Sequence, residues 1–425
     1  MDSNEISLIM IYNLKNLSKQ QKQIFILYSS TLIGVFLGVI ASVINTRFLS
    51  TIEYGDVRYV QNILNFIASL LIFGYFWSGS RLLALSKDEE RSRSIRGVLI
   101  LLLLAAALIM CFLVLANFFI HYDSRQNIAW LFIVSIPVCF YPLLYDYINT
   151  VSQGDNHIGR IGLARVLPIL LYIPIAYLVY SLNGASAEKV ILLQWGSYSI
   201  VLFIIILTSN PKFRKLGPIF SELRKENQDY GIQLYLGSLV MIATNYLAGI
   251  TLGIFNQDNS AVGLYTLALT VTSPLALLPS IIGTTYFKEF SSQDRIPERV
   301  MKFTIIITLL SFILFIILIK PLVLLLYSED YSMVGIYAIW LAASFCIHGF
   351  GDMINRYLGS HGQGISIRNS SIANGLLKIF GFTVLVYFFN TPGALITNIL
   401  CSIIYCLVLL YYYKRFIKSK QNNNS

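Results

Sequence analysis

Two polar segments of the chain repeat one arrangement of charged residues, which points to ion pairs between neighbouring helices. Residues 143–160 read LLYDYINTVSQGDNHIGR, and residues 346–368 read CIHGFGDMINRYLGSHGQGISIR. Each contains Asp-x-Ile-Asn, a glycine-containing turn and then an arginine, and the two copies lie 206 to 208 residues apart. We predict that the Asp and Arg of each copy form a clasp or gate between adjoining helices, with contact to a substrate as the alternative. The residues are Asp146 with Arg160, and Asp352 with Arg368.

Isolated charges inside apolar stretches form a second group of candidates. Lys378 lies near the middle of SIANGLLKIFGFTVLVYFF, and a charge at that depth in a membrane helix costs about 2.5–3.5 kcal/mol. Such a charge predicts a functional site, while snorkelling to the interface or pairing with a carboxylate is the structural alternative. The same reasoning applies to four cations nearer to span ends, whose alternative role is to mark or anchor an interface: Arg47, Arg58, Arg81 and Lys320.

Two ionisable residues are candidates for coupling to an ion. His348 and Asp352 lie close together in the sequence, and an imidazole titrates near neutral pH. A buried, hydrogen-bonded histidine is the alternative. The sequence contains no phosphate-binding loop, no His-Glu-x-x-His, no carboxylate cluster with metal-ligand spacing and no nucleophile elbow. We therefore expect no metal site, no cofactor and no enzymatic activity.

The composition of the chain indicates that lipid, and not water, surrounds most of it. Hydrophobic residues make up 56% of the sequence, charged residues only 12%, and the mean hydropathy is +0.68. A soluble domain of 425 residues cannot bury so much apolar surface, and lipid forces spanning segments to be helical because it offers no hydrogen-bond partners. Apolar runs of about 20 residues predict an all-α integral membrane protein with twelve transmembrane helices. The runs are 24–46, 59–80, 97–120, 128–150, 161–182, 189–208, 232–255, 261–285, 302–326, 333–354, 369–390 and 393–413.

The distribution of Lys and Arg predicts an orientation. Of the 31 Lys and Arg residues, 25 fall in segments on the side of the N terminus, five fall on the other side, and Lys378 lies within a span. Cytoplasmic loops carry the excess of positive charge, so we predict that both termini are cytoplasmic. Anionic membrane lipid accounts for the net charge of +10, and no nucleic acid is required as a partner.

The repeated segments also predict internal symmetry. Loops six helices apart have the same orientation, which predicts two six-helix bundles related by a pseudo-two-fold axis along the membrane normal. A second pair of segments, TIEYGDVRYV at 51–60 and NSAVGLYTLA at 259–268, has a similar offset. We divide the chain accordingly into a cytoplasmic or interfacial segment 1–23, a bundle 24–208, a basic cytoplasmic linker 209–231, a bundle 232–416 and a cytoplasmic tail 417–425.

With this pattern, the chain resembles the O-antigen and polysaccharide flippases (Wzx-type) of the multidrug/oligosaccharidyl-lipid/polysaccharide exporter superfamily. The resemblance lies in RFLSTIEYGDVRYVQNILNFIASLLIFGYFWSGSRLLA at 47–84, in the turn SQGDNHIGR at 152–160 and in the six-plus-six arrangement. It implies that an undecaprenyl-pyrophosphate-linked oligosaccharide repeat unit moves from the inner to the outer leaflet of a bacterial inner membrane by alternating access. The pyrophosphate would then contact the isolated cations, Lys378 first and then Arg47, Arg58, Arg81 and Lys320.

The resemblance also implies partners, and two other classes of function remain open. Expected partners are the lipid-linked oligosaccharide, membrane lipid, and the polysaccharide polymerase and chain-length machinery, and we predict a monomer. A multidrug or other small-molecule antiporter of the same superfamily would favour buried acidic residues for cationic drugs, whereas the deep charge here is mainly basic. A membrane glycosyl-lipid polymerase or ligase would carry a large external loop with catalytic Arg or His, whereas the external loops predicted here are short.

Overall fold

Large apolar side chains cover the outside of the structure, a computed structural model that describes residues 19–214 and 216–424. Phe112, Leu325 and Ile120 expose 73%, 71% and 69% of their surface. Water-soluble proteins do not expose a continuous surface of this kind. In the described residues, eight helices are long and apolar enough to cross a membrane, and two bent helix pairs raise that number to ten. The chain is therefore a multi-pass membrane protein. Most of the predicted segment 1–23, up to residue 18, lies outside the described residues.

Residues 19–208, which we call the N-terminal half, are almost entirely helical. Within this half, α1 packs along α7, and α7 packs against α8. Ser50 and Glu53 form a capping box that fixes the start of α2. The elements are α1 (Lys19–Phe48), α2 (Thr51–Leu71), α3 (Tyr75–Leu85), α4 (Glu89–Tyr122), α5 (Gln126–Ser135), a 3₁₀ turn (Ile136–Val138), α6 (Tyr141–Gly154), α7 (Ile158–Asn183) and α8 (Ala187–Leu207).

Two spans of the N-terminal half are bent, and each bend has a local cause. α2 and α3 meet at 56°, where Phe73 and Gly74 adopt positive φ angles of 45° and 80°. The segment 126–138 meets α6 at 43°. Pro137 and Pro142 lie at that bend and lack the amide N–H that a continuous helix would use.

Residues 232–424, which we call the C-terminal half, follow a linker that contains a short helix. α15 packs along both α12 and α17. α17 is interrupted at Asn390, whose φ of 51° and ψ of −133° are not helical, two residues before Pro392. The elements are α9 (Leu216–Glu226), a π-helical turn (Asn227–Gly231), α10 (Ile232–Phe255), α11 (Ser260–Thr272), α12 (Pro274–Thr285), α13 (Phe287–Phe290), α14 (Glu298–Leu326), a 3₁₀ turn (Glu329–Tyr331), α15 (Met333–Ser360), α16 (Gly364–Phe380), a second π-helical turn (Gly381–Leu385) and α17 (Val386–Asn424).

The two halves approach each other closely where α2 meets α11. A Cβ atom on Gly263 would lie 3.0 Å from the backbone nitrogen of Gly55, and a Cβ atom on Gly55 would lie 1.8 Å from the backbone oxygen of Asn259. Only residues without a side chain let two helix backbones approach to this distance. Gly55 and Gly263 occupy the same position in the repeated segments 51–60 and 259–268. Equivalent positions of the two halves therefore touch.

Gly55→Ala is expected to destabilise the protein, because the added methyl group overlaps the backbone of α11, which cannot move as a flexible side chain would. Overpacking of this kind costs about 1–3 kcal/mol, so the unfolding temperature of the detergent-purified protein should fall by several degrees. The matched control is Gly159→Ala, since a Cβ atom at Gly159 meets nothing within 4 Å. Equal unfolding temperatures for the two variants would show that the α2–α11 contact is looser than described.

Candidate functional site

A polar cavity lies between the two halves, and α1 forms part of its wall. The part against the C-terminal half has a volume of about 510 Å³, and the part against the N-terminal half has a volume of about 560 Å³. Gly38 and Thr270 line both parts, so the two adjoin. A third part of about 390 Å³ shares Val35 with the first and Tyr141 with the second. We call the three parts together the central cavity.

Lys378 lies on the wall of the C-terminal part of the cavity. It is carried by α16, on which Asn374, one turn earlier, lines the same space. The Lys378 ammonium group donates a hydrogen bond to Asn245 Oδ1 of α10 at 3.2 Å. Within the described part of the chain, Lys378 forms no ion pair. Its positive charge is therefore available to an anion in the cavity.

Arg58 lies on the wall of the N-terminal part, where neighbours on its own helix hold the guanidinium group. Its Nε and Nη2 donate to the Tyr54 hydroxyl at 2.9 and 2.7 Å, and Nη1 donates to Gln61 Oε1 at 3.0 Å. Gln61 donates in turn to Gln194 of α8 at 3.0 Å. The guanidinium group is thus fixed in place before any ligand arrives.

The third part of the cavity contains a further cation. Arg165 of α7 lines it and donates to the hydroxyl of Thr31 on α1. In the described cavity lining, Lys378, Arg58 and Arg165 face a single carboxylate, that of Asp146. The central cavity therefore has an excess of positive charge.

The predicted pair of Asp146 and Arg160 is not formed. Arg160 pairs instead with Asp155 at 3.1 Å, and Asp155 also accepts from the buried Arg96 at 3.2 Å. Asp146 lies two turns before the end of α6, which places it about 12 Å deeper along the helix at 1.5 Å per residue. The arginine therefore meets the carboxylate in the turn, and Asp146 lines the cavity.

Asp352 and Arg368 do not pair either, for the same geometric reason. Tyr405 donates its hydroxyl to Asp352 Oδ1 at 3.0 Å, and Asn355 donates to the Tyr405 oxygen at 2.7 Å. Arg368 is exposed near the start of α16 and forms no ion pair with any described residue. The His348 ring stacks on Tyr405 with 4.5 Å between the ring centroids. Both candidates for ion coupling therefore contact one tyrosine.

Two other predicted cations lie away from the central cavity. Arg81 pairs with Glu226 of the linker at 2.6 Å. Lys320 is exposed, and its aliphatic stem lies beside Gly335. Neither side chain contributes to the described cavity lining.

Arg47 joins the two halves at the end of the molecule opposite the linker. Its guanidinium group donates to the carbonyl oxygens of Leu325 and Leu326 at 3.4 and 3.2 Å, at the C-terminal end of α14. Arg125 serves α10 in the same way, because it donates to the carbonyl oxygens of Gly253, at 2.7 Å, and Asn256. Each arginine of the N-terminal half thus caps a helix of the C-terminal half.

A tyrosine makes the reciprocal contact. The Tyr331 hydroxyl donates to the carbonyl oxygens of Leu49 and Ser50, just beyond the end of α1, at 3.1 Å each. Helix C termini carry carbonyl groups without intrahelical partners and the negative end of the helix dipole, so these donors suit them. We call Arg47, Arg125 and Tyr331 the cross-half latch.

The N terminus of α11, beside the latch, carries a fixed negative charge. The hydroxyl and the backbone N–H of Ser260 donate to Asp258, and these bonds hold the pKa of its carboxyl group below the ordinary value. A charged carboxylate at a helix N terminus stabilises the helix.

Comparison with known proteins identifies the family. The family model described as polysaccharide biosynthesis protein matches residues 21–287. The chain belongs to this family. A search of curated protein sequences finds no match.

Solved structures show that the fold of this family member is that of MOP superfamily transporters. An inward-facing multidrug resistance MATE family transporter of that superfamily superposes with a TM-score of 0.71 at 16% identity, over 92% of this chain and 96% of that one. A multidrug resistance MATE family transporter in an outward-facing conformation gives a TM-score of 0.58 at 17% identity, over 95% of this chain and 97% of that one. The lipid II flippase MurJ in an inward closed conformation gives 0.68 at 13% identity, over 92% and 87%. The predicted resemblance to this superfamily is confirmed.

Sequence reasoning missed several residues of the cavity and the latch. Arg125 is one of the five Lys and Arg residues counted on the side opposite the N terminus, and no sequence pattern distinguishes Tyr331. Each latch residue lies next to the end of a predicted span, which is a sequence feature that could have identified it. The sequence does not show, however, which helix end of the other half each residue contacts. Arg165 was not missed in this way: as for Arg81, its position near a predicted span end favours a marker of the inner interface, with cavity lining as the alternative, and the structure places it on the cavity wall.

Arg125→Ala is expected to loosen the two halves at the latch end, because the carbonyl groups at the end of α10 lose their donors. Spin labels at positions 188 and 257, exposed residues of the two halves near that end, should show a larger population of long distances. The control is Lys189→Ala, which removes a cap on Asn183 and Gly184 at the same end but within one half. An unchanged distance distribution in Arg125→Ala would remove Arg125 from the latch.

Proposed function

We propose that the chain is a flippase for lipid-linked oligosaccharides. In this proposal it moves undecaprenyl-pyrophosphate-linked O-antigen or polysaccharide repeat units from the inner to the outer leaflet of a bacterial inner membrane by alternating access. The observation that carries the proposal is the central cavity, whose described lining holds three cations and one carboxylate. Membership of the polysaccharide biosynthesis family and the fold shared with a lipid II flippase support it.

Positive charge in the cavity suits a diphosphate. A diphosphate and a hydroxylated sugar cannot cross hydrocarbon alone, because their polar groups would lose water without replacement. Cations such as Lys378 offset that loss through charge-assisted hydrogen bonds. Movement of negative charge out of an inside-negative compartment is favoured by about 2.3 kcal/mol per charge per 100 mV. The membrane potential therefore favours export.

We propose twelve spans in two bundles, 24–208 and 232–416, joined by the linker 209–231. The eight long helices and two bent pairs account for ten spans. The break at Asn390 divides the last helical stretch into two spans, and α10, with 24 largely apolar residues, supplies the remaining one. The contact of Gly55 with Gly263 fits a pseudo-two-fold axis between the bundles.

We propose that the end carrying the linker faces the cytoplasm together with both termini. The concentration of Lys and Arg at that end supports this orientation. The latch closes the opposite end, and the fold resembles the inward-facing transporter more than the outward-facing one, with TM-scores of 0.71 and 0.58. The cavity then receives its substrate from the inner leaflet.

Lys378→Ala is expected to reduce transport about tenfold or more, because a hydrogen bond to a charged group contributes about 1.5–3 kcal/mol. The measurement is the movement of a polyprenyl-diphosphate oligosaccharide in proteoliposomes, followed by the accessibility of its sugar to an enzyme on one side. Lys378→Arg keeps the charge and should restore a large part of the rate.

The matched control is Lys302→Ala, which removes an exposed ammonium group that pairs only along its own helix with Glu298. It should transport at the wild-type rate. Normal transport by a well-folded Lys378→Ala variant would remove Lys378 from the headgroup site. Loss of transport in both variants would point to a general effect of charge on the membrane surface.

We propose His348 and Asp352 as the place where a counter-ion is coupled. His348 lines the cavity, and Tyr405 connects it to Asp352. Tyr405→Phe keeps the ring that stacks on His348 but removes the bond to Asp352. We expect this variant to lose stimulation of export by a proton gradient and to keep export driven by membrane potential alone. Full stimulation in the variant would separate this cluster from coupling.

A small-molecule antiporter is the second candidate, and one observation favours it. Asp146 has no ion-pair partner in the described structure and lies among aromatic residues, a setting that also suits an organic cation. The three cations in the same cavity oppose that ligand. Transport of a lipophilic cation by the purified protein, without transport of the lipid-linked sugar, would establish the antiporter in place of the flippase.

A further inference from the structure

The N-terminal part of the central cavity has a wall of aromatic rings. Six aromatic residues line it: Trp77, Tyr141, Tyr145, Trp195, Tyr198 and Tyr246. Tyr141 lies at the centre of the group, with its ring centroid 5.2 Å from that of Trp195 and 5.3 Å from that of Tyr198. Flat, rigid rings of this kind offer contact area to the apolar face of a ligand ring. The described lining of the C-terminal part contains three such rings, those of Tyr265, Phe345 and Phe382.

Two polar groups on one face of α6 lie in that aromatic wall without a partner. Asp146 and Thr150 are one helical turn apart, and both line the cavity. Among the described residues, none donates a hydrogen bond to the Asp146 carboxylate, and none bonds to the Thr150 hydroxyl. Asn149, next to them, donates instead to the carbonyl oxygen of Tyr145. An unpaired carboxylate in a membrane protein is costly, so a ligand that brings hydroxyl donors into this part of the cavity would be stabilised by it.

Amide side chains complete the polar part of this wall. Gln61 donates to Gln194, and Gln194 donates towards the Tyr198 hydroxyl at 3.5 Å. The Nδ2 group of Asn65 donates to the backbone carbonyl oxygen of Gln61 at 2.7 Å, which leaves the side-chain oxygen of Asn65 able to accept a hydrogen bond. Acceptors and donors interleaved with aromatic rings match a ring whose faces are C–H groups and whose edges are hydroxyl groups. That description fits a sugar.

An organic cation fits the same wall less well. Arg58 lines this part of the cavity and Arg165 the adjoining part, so a cation would approach two fixed positive charges. A carboxylate-bearing sugar fits poorly as well. The Arg58 guanidinium group already donates to Tyr54 and Gln61, whereas the anionic group of such a sugar would meet the unpaired Asp146. A neutral sugar avoids both repulsions and satisfies Asp146 through its hydroxyl groups.

We infer that the N-terminal part of the central cavity is a subsite for a neutral sugar, in which Asp146 accepts hydroxyl hydrogen bonds and selects against acidic sugars. This inference rests on the proposed function, since the sugar is taken to be attached to the diphosphate that Lys378 binds. Gly38 and Thr270 line both parts of the cavity, so the diphosphate and the sugar of one ligand would lie in adjoining parts. Lys378 therefore provides affinity for the diphosphate, and Asp146 provides specificity for the sugar.

The test compares three probes that share one prenyl diphosphate, which is bare, or carries N-acetylglucosamine, or carries glucuronic acid. Binding is followed by tryptophan fluorescence in the full-length protein with Trp130→Phe and Trp340→Phe. Those two tryptophans are about half exposed, at 54% and 53%, on the apolar surface, and their removal leaves Trp77 and Trp195 as reporters in the cavity. We expect the N-acetylglucosamine probe to bind about tenfold more tightly than the bare diphosphate, and the glucuronic acid probe to bind no more tightly.

Asp146→Asn is expected to reduce the preference for N-acetylglucosamine over the bare diphosphate severalfold, and to raise the affinity for glucuronic acid relative to the bare diphosphate. Improved binding of one probe cannot result from misfolding. Asp229→Asn, the same change at an exposed carboxylate of the linker, should alter none of the three affinities.

The outcomes separate the inference from the proposed function. If wild type binds all three probes equally, or if Asp146→Asn changes no preference, the sugar subsite is overturned while the diphosphate flippase stands. If wild type binds none of them, the proposed function fails and the subsite with it. Tight binding of tetraphenylphosphonium that depends on Asp146, with no sugar preference, would assign the carboxylate to organic cations instead.

Discussion

A helix that ends at the edge of a lipid layer leaves up to four carbonyl oxygens without partners, and lipid supplies no donors for them. In this protein, donors for three such ends come from the opposite half of the molecule. Arg47 serves α14, Arg125 serves α10 and Tyr331 serves the end of α1. The halves are therefore joined at this end by bonds that each helix needs for its own stability. If the halves separate at the latch end, water or another donor must bind the carbonyl groups that the latch residues release. Opening of the latch end and its hydration therefore occur together.

The linker end is organised differently, since its capping arginines connect the N-terminal half to itself and to the first residues of the linker. Arg96, Arg93 and Arg160 donate to the carbonyl oxygens of Ser209, Asn210 and Thr208 at the end of α8. Asp155 balances Arg96 and Arg160 in the same cluster. This cluster makes the N-terminal half rigid at the linker end without tying it to α11–α17. The two halves are also in contact towards the linker, since the Tyr235 hydroxyl of α10 donates to the carbonyl oxygen of Leu70 on α2 at 2.9 Å. Among the described residues, the arginines that cap a helix of the other half lie at the latch end.

Hydropathy and charge predicted much of the fold, whereas the polar contacts depended on three-dimensional positions. The apolar runs coincide with the helices because lipid allows no other spanning structure. Lys378 was found from the cost of a buried charge, and the structure places it in the cavity. The predicted pair of Asp146 and Arg160 is not formed. The sequence shows that the two residues flank one turn, but it does not show that Asp146 lies two helical turns away from it. The latch was missed because Arg125 and its partners are 128 and 131 residues apart.

The two copies of the polar segment have similar sequences and different surroundings in the structure. Asp352 accepts from Tyr405, and Asn355 holds that tyrosine in turn. Asp146 lines the cavity with no described donor, although its Asn149 is retained. In one half a tyrosine hydroxyl donates to the carboxylate, and in the other half no described residue does. The same polar pattern thus contributes to packing in one copy and lines the cavity in the other. The cavity is asymmetric as well. One wall carries an ammonium group, and the other carries aromatic rings and a carboxylate. A headgroup with a charged end and a hydroxylated end would therefore satisfy both walls in only one orientation.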